Sequence, residues 1–263
     1  GNIWRVDMPI VYNDNIDDRD HWIAYKFAEL GRHASSTTDD DRRFFHKVDV
    51  VFSRDSSDPV SRFDAVIVGS GNRANPKDMA YTDIPQNRLF MLKDRSISVV
   101  DYSASNPPSA LTASSLSNLT DNCFADDSCT DAVKTNLING WYLNLREEEK
   151  MLSSSLTLAG TIFATTYIPT GGLANNSCGP NEGTGFLYAI KLSDATSARI
   201  NFHLSIDEDP QTESANRIYE LGSGIPSSPV AIGDGKVLLP GGKIVKAGDS
   251  DGGLTYWYED NSR

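Results

Sequence analysis

Arg62-Phe63-Asp64-Ala65-Val66-Ile67-Val68-Gly69-Ser70-Gly71-Asn72-Arg73, followed by Asn87-Arg88-Leu89-Phe90-Met91-Leu92-Lys93-Asp94, decides the fold. The first stretch is a short apolar run closed by glycines. The second is a strand that displays an aromatic. Both half-motifs recur. The small, apolar one returns over 154–167 and 227–242, and the aromatic one stands at Asn2-Ile3-Trp4-Arg5-Val6 and at Phe186-Leu187-Tyr188-Ala189-Ile190. The two alternate along the chain. An apolar strand, a turn and then a strand showing an aromatic is how a propeller blade is written. The expected fold class is therefore all-β, with propeller-type blades. A β-sandwich with long loops is the alternative.

Like motifs lie about 75 to 100 residues apart, well above the roughly 40–50 of one blade. Either the blades carry insertions or intervening blades are degenerate. The clearest insertion is 101–139, rich in Ser, Asn, Pro and Asp. It holds the best helix signal, over 130–139. Thr130 can cap, Ala132, Val133, Leu137 and Ile138 form a stripe, and Gly140 stops it. Gly233-Asp234-Gly235 is a hairpin turn signal. Residues 21–30 fit helix or strand, and their context favours strand. We expect 1–263 to form a single propeller-type domain. The opening Gly-Asn-Ile-Trp-Arg reads like the middle of a strand, so the chain is expected to be the C-terminal part of a longer protein and of a larger ring. A partial ring leaves exposed edge strands.

The chain has 263 residues, 24 basic and 36 acidic side chains, and a net charge of −12. Nucleic-acid backbones call for a basic face, so the acidic balance disfavours them as a main partner, and it disfavours an anionic membrane surface as well. Mean hydropathy is −0.37. No run approaches the ~20 apolar residues of a membrane span. The acidic balance is compatible with divalent cations and with extracellular life.

Three cysteines are present. Cys123 and Cys129 flank Phe-Ala-Asp-Asp-Ser, a spacing that can close a local disulfide. So small a loop contributes about 2 kcal/mol through chain entropy. Cys178 stands in a Gly/Asn-rich stretch, either free or paired elsewhere. No Cys-x-x-Cys or Cys/His cluster points to zinc, and an oxidising, exported setting fits best.

The chemistry-bearing motifs are sparse. Gly69-Ser70-Gly71 and Gly183-Thr184-Gly185 follow no phosphate-binding pattern and read as turns at blade corners. No nucleophile motif is present, and His21, His33, His46 and His203 are scattered. No catalytic or cofactor-binding residue is nominated. Oxygen-rich loops are the plausible ligand chemistry. Calcium takes oxygens from alternating positions of a turning loop. Asn13-Asp14-Asn15-Ile16-Asp17-Asp18-Arg19-Asp20 is dense in donors. Asp249 and Asp251 open a loop with Asp260 at its twelfth position, although Gly253 stands where the fifth ligand belongs. Solvated polar loops are the simpler reading of both.

Several segments, in order, resemble the C-terminal domain of the PilY1 (PilC-like) family of type IV pilus biogenesis factors and tip adhesins. They are Gly1-Asn2-Ile3-Trp4-Arg5-Val6-Asp7, Arg42-Arg43-Phe44-Phe45, Asp49-Val50-Val51, the two stretches quoted first, and Gly140-Trp141-Tyr142-Leu143. Further along come 154–167, Cys178-Gly179, Gly183-Thr184-Gly185-Phe186-Leu187-Tyr188-Ala189 and Gly224-Ile225-Pro226-Ser227-Ser228-Pro229-Val230. The resemblance spans nearly the whole chain. It implies a modified, quinoprotein-like β-propeller without enzymatic activity. It further implies pilus assembly, opposition to retraction, and adhesion to a surface or host receptor, with minor pilins at the pilus tip as partners. The implied location is the bacterial cell surface, outer membrane or pilus tip. Calcium is implied for the parent protein, through a loop lying before the Gly-Asn-Ile-Trp-Arg strand. The alternatives are a quinoprotein-type periplasmic dehydrogenase and an envelope-assembly scaffold. The dehydrogenase calls for adjacent cysteines, which this chain lacks. The loop from Ser103 to Cys129 is the expected exposed contact surface.

Overall fold

The computed structural model describes residues 1–8, 22–31, 42–55, 58–76, 86–96, 107–169, 182–198, 200 and 216–247. Within these, four β-sheets follow one another along the chain. The first is built from β1 (Asn2–Asp7), β2 (Ile23–Glu29) and β6 (Leu111–Thr112), in that order across the sheet. The second has the order β3 (Asp49–Asp55), β4 (Asp58–Gly69), β5 (Arg88–Asp94), β8 (Gly140–Asn144), β7 (Ser117–Asn118). The third runs β12 (Ile218–Ser223), β11 (Thr184–Lys191), β10 (Thr161–Ile168), β9 (Leu156–Leu158). The fourth is β13 (Val230–Gly233), β14 (Lys236–Leu238), β15 (Ile244–Lys246).

Side chains alternate between the faces of a strand. That alternation explains why the central strands are apolar throughout. Phe63, Ala65 and Ile67 of β4 and Leu89 and Met91 of β5 face the third sheet, where they meet Ile162, Ala164, Tyr188 and Ile190. The residues between them, Val66, Val68, Phe90 and Leu92, face the first sheet and meet Ala28 and Leu30. β10 and β11 repeat the arrangement: Phe163, Leu187 and Ala189 turn the other way and pack on Val237 and Val245 of the fourth sheet. The sheets therefore stack face to face in chain order, with three apolar seams. Each fully buried Leu or Ile contributes about 1.5–3 kcal/mol to a seam. Trp141 adds a polar tie, because its indole N–H donates to the Leu192 carbonyl across the second seam at 2.9 Å.

The hairpin expected at Gly233-Asp234-Gly235 joins β13 to β14, and all three residues adopt positive φ. Residues 23–29 are a strand. The helix is shorter than the pattern suggested: α1 spans Asp131–Asn136. Thr130 caps it by accepting from the Val133 N–H. The chain then turns through 137–139 to reach Gly140.

The segment expected to be an exposed insertion departs from that reading over 107–120. It returns through β6, which adds in parallel to β2, and β7, which adds in parallel to β8. Leu116, Ser117 and Leu119 are buried. The Ser and Asn residues that suggested a solvated loop serve as local turn acceptors instead. Asn118 Oδ1 receives the Thr120 N–H and hydroxyl, and Ser115 Oγ receives the Thr112 N–H. The segment bridges the first two sheets and covers edges that would otherwise be open.

Candidate functional site

The exposed part of the insertion is its tip. Cys123 and Cys129 are bonded, with Cα atoms 4.7 Å apart. Between them the chain turns tightly. The Ser128 N–H reaches the Cys123 carbonyl at 2.9 Å, and Asp127 adopts φ 54°. Asp126 accepts from the Ser128 hydroxyl and N–H, which holds its carboxyl below the usual carboxylate range. Residues 125–128 and much of α1 face solvent, and Ile138 is exposed beside them. Cys123 and Phe124 lean on the second seam, so the tip is anchored at its base. Arg217 anchors it further by donating to the carbonyls of Leu119 and Thr120. Replacing Cys123 and Cys129 by serine is expected to lower stability by no more than about 2 kcal/mol. Amide exchange should quicken over 121–130 while the sheets stay protected. A global loss of β signal in circular dichroism would contradict this local role.

Glu149 was not singled out by any motif, yet it is the most enclosed charge described, with no exposed surface. It lies on the connection from the second sheet to the third. Five donors converge on its carboxylate. They are the Arg146 N–H at 2.8 Å, Arg146 Nε at 3.0 Å and Nη2 at 3.1 Å, Tyr188 Oη at 2.9 Å, and Thr166 Oγ1. Arg146 also stacks over the Phe186 ring, 3.8 Å from its centre. Burial, and then the Glu149 charge, push the Tyr188 phenol far above its usual range, so it stays a donor. A carboxylate so saturated holds structure together and has no lone pair to spare for catalysis.

Several other described ionic groups are also paired. Asp55 receives Lys93 at 2.6 Å and Arg95 at 2.7 Å, and Arg5 bridges Asp7 and Asp94. Burial, and then Arg88, push the Arg42 guanidinium down to about 10. It donates to the Gln86 carbonyl at 2.8 Å.

Asp49 differs. Its Oδ2 is buried without a hydrogen-bond partner, as is Thr157 Oγ1, and burial raises the Asp49 carboxyl above the ordinary value. A carboxyl raised in the folded state favours folding when protonated and costs stability as pH climbs through its folded value. Asp49→Asn should therefore raise the melting temperature at pH 7. Near pH 3, where Asp49 is protonated in both states, variant and parent should converge. An equal shift at both pH values would assign the effect to packing.

The glycines of 69–71 serve close approach. A Cβ on Gly69 would meet Met151 Sδ at 1.9 Å, and one on Gly71 would meet the Met151 carbonyl oxygen at 2.6 Å. The chain from Lys150 to Met151 crosses there, and the Met151 N–H donates to the Ser70 carbonyl. They lie at the end of β4, where the chain leaves the sheet.

The calcium candidates Asp249, Asp251 and Asp260, the 13–20 loop, Cys178, His21, His33 and His203 lie outside the described residues. Among the described residues, no group of three or more His, Cys, Asp or Glu is gathered to hold a metal ion. No described helix is long and apolar enough to cross a membrane.

Sheets stacked face to face in chain order, with β9 touching both β3 and β13, define a β-propeller-type domain. Among solved structures, the fold is similar to the Pseudomonas aeruginosa PilY1 C-terminal domain, with a TM-score of 0.55 and 12% sequence identity. The likeness covers 94% of this chain and 55% of that one, so the chain spans about half the length of the solved domain. No family model matches the sequence, and no curated protein does.

Proposed function

We propose that the chain is a non-enzymatic propeller part of an exported, pilus-associated bacterial surface protein. In this reading it supports type IV pilus assembly, opposes retraction and mediates adhesion to a surface or host receptor. The observation that carries it is the shared fold with the PilY1 C-terminal domain along 94% of the chain. Minor pilins at the pilus tip are the proposed partners. The anchored tip at 125–128, with the outer side of α1, is the proposed contact surface. Calcium is proposed as a ligand of the wider protein, with virulence as the setting.

The test is surface pilus yield after deletion of the encoding gene, in cells with and without the retraction motor. Pili lost with the motor present and restored in its absence are expected. Unchanged pili in both backgrounds would remove the pilus reading. Quinone absorbance or dye-linked alcohol oxidation by the purified protein would instead bring the dehydrogenase forward.

A further inference from the structure

Where β3 meets β9, the second seam turns from apolar to polar. Asp49 pairs with Ile67 between β3 and β4, so it shares the face of Ile67 and Val51, which is turned to the third sheet. From the other side, Thr157 pairs with Ile162, which faces the second sheet, while Leu156 and Leu158 turn to the fourth. Burial raises the Asp49 carboxyl, and the Thr157 hydroxyl and N–H oppose it, so the two residues meet across the seam. Ser155 stands two positions before Thr157, and two positions is the repeat of one strand face. Thr157 is 5% exposed and Ser155 9%. Asp49 Oδ2, Ser155 Oγ and Thr157 Oγ1 are each enclosed, and none has a hydrogen-bond partner among the described residues. Nearby hydroxyls are not left this way. Ser153 pairs with Thr165, Thr165 donates to the Ser227 carbonyl at 3.0 Å, and Ser228 accepts the Ser154 N–H at 3.0 Å.

Buried polar groups are as a rule satisfied, so these oxygens at one strand crossing call for a ligand. Their chemistry says which kind. One belongs to a carboxylate and two to hydroxyls, so together they offer lone pairs and a single negative charge. The protein charge that acts on Asp49 is that of Lys47, which stands exposed. Oxygen ligands select a hard cation, and the number of ligand charges sets how tightly a multiply charged one is held. A single carboxylate matches a single positive charge. We propose that Asp49, Ser155 and Thr157 form a binding site for an alkali-metal cation, which neutralises Asp49 and ties β3 to β9. The ion thereby joins the second sheet to the third. The inference rests on the packing of these two sheets and stands whether or not the pilus reading does.

The test is urea unfolding in sodium chloride, potassium chloride and choline chloride at equal ionic strength. Matched ionic strength cancels general screening of the −12 net charge, and choline is too large for an enclosed oxygen site. Sodium or potassium should raise the folding equilibrium constant of the parent about tenfold for each tenfold in concentration above the dissociation constant, as expected for one ion taken up on folding. Asp49→Asn and, separately, Thr157→Val should respond alike to all three salts. The gain in stability argued above for Asp49→Asn belongs to the ion-free protein, so it should appear in choline chloride and be lost in the preferred alkali salt. Rubidium chloride soaked into crystals should give anomalous density between Asp49 and Thr157. An equal response of the parent to all three salts would overturn the proposal, leaving Asp49 to the Thr157 hydroxyl or a trapped water. An alkali-specific response that persists in Asp49→Asn would also overturn it, as a general salt effect. Stabilisation by calcium chloride alone would overturn it in favour of a divalent ion.

Discussion

Glu149→Ala is expected to cost about 3–5 kcal/mol, the range seen when one partner of a buried ionic network is removed. The loss has identifiable parts. Thr166 is fully buried and Tyr188 nearly so, and each would keep a hydroxyl with no acceptor. An orphaned buried hydroxyl costs about 1–3 kcal/mol. Arg146 contributes less, because its side chain is 42% exposed and its charge can return to water. The connection between the second and third sheets would also lose its pin. The flanking Lys150 exchanges two backbone hydrogen bonds with Tyr167, at 2.9 and 2.8 Å. Glu149→Gln should recover part of the loss, since it keeps one acceptor oxygen while its amide nitrogen faces donors. Urea unfolding at neutral pH gives both numbers. A loss below about 1 kcal/mol for Glu149→Ala would mean that water enters and satisfies the hydroxyls.

The contrast between what could be read from the sequence and what could not follows from range. The blades were legible because their signal is local. Ala65 to Gly69 and Leu89 to Leu92 are apolar at consecutive positions, and consecutive apolar residues mean a strand buried on both faces. The disulfide was legible for the same reason, with only six positions separating its cysteines. The weaving of 107–120 was hidden, because β6 and β7 are two residues long and are defined by partners far away in sequence. Glu149 was hidden inside Arg-Glu-Glu-Glu-Lys, a run that reads as a solvated charge cluster. Only the fold brings Thr166 and Tyr188 to one of its three glutamates. The one retrospective signal is Tyr188 itself, a phenol at the position where β1 has Trp4 and β5 has Phe90. A buried tyrosine needs a partner for its hydroxyl.

Gly140→Ala is expected to be the most damaging small substitution, at about 4 kcal/mol or more, with little folded protein recovered at 37 °C. Two independent effects combine there. Gly140 adopts φ 115°, a conformation that side chains with a Cβ rarely take. An added Cβ would also stand 2.1 Å from the Met91 carbonyl oxygen and 3.0 Å from Leu92 Cα. Those atoms are backbone of β5, which is held by β4 on its other side and sealed in both neighbouring seams. β5 therefore cannot yield, and β8 must move instead. β8 carries Trp141 into the second seam, and it is where the inserted segment rejoins the sheet. Gly222→Ala separates the two effects. Gly222 has a similar φ of 104°, but nothing lies within 4 Å of its would-be Cβ. It should show only the conformational cost, about 1–2 kcal/mol. Urea midpoints of the two variants, measured side by side, give the clash as their difference. Equal midpoints would mean that β8 lifts from β5 at little cost, and that the insertion, rather than the β5 contact, holds Trp141 in place.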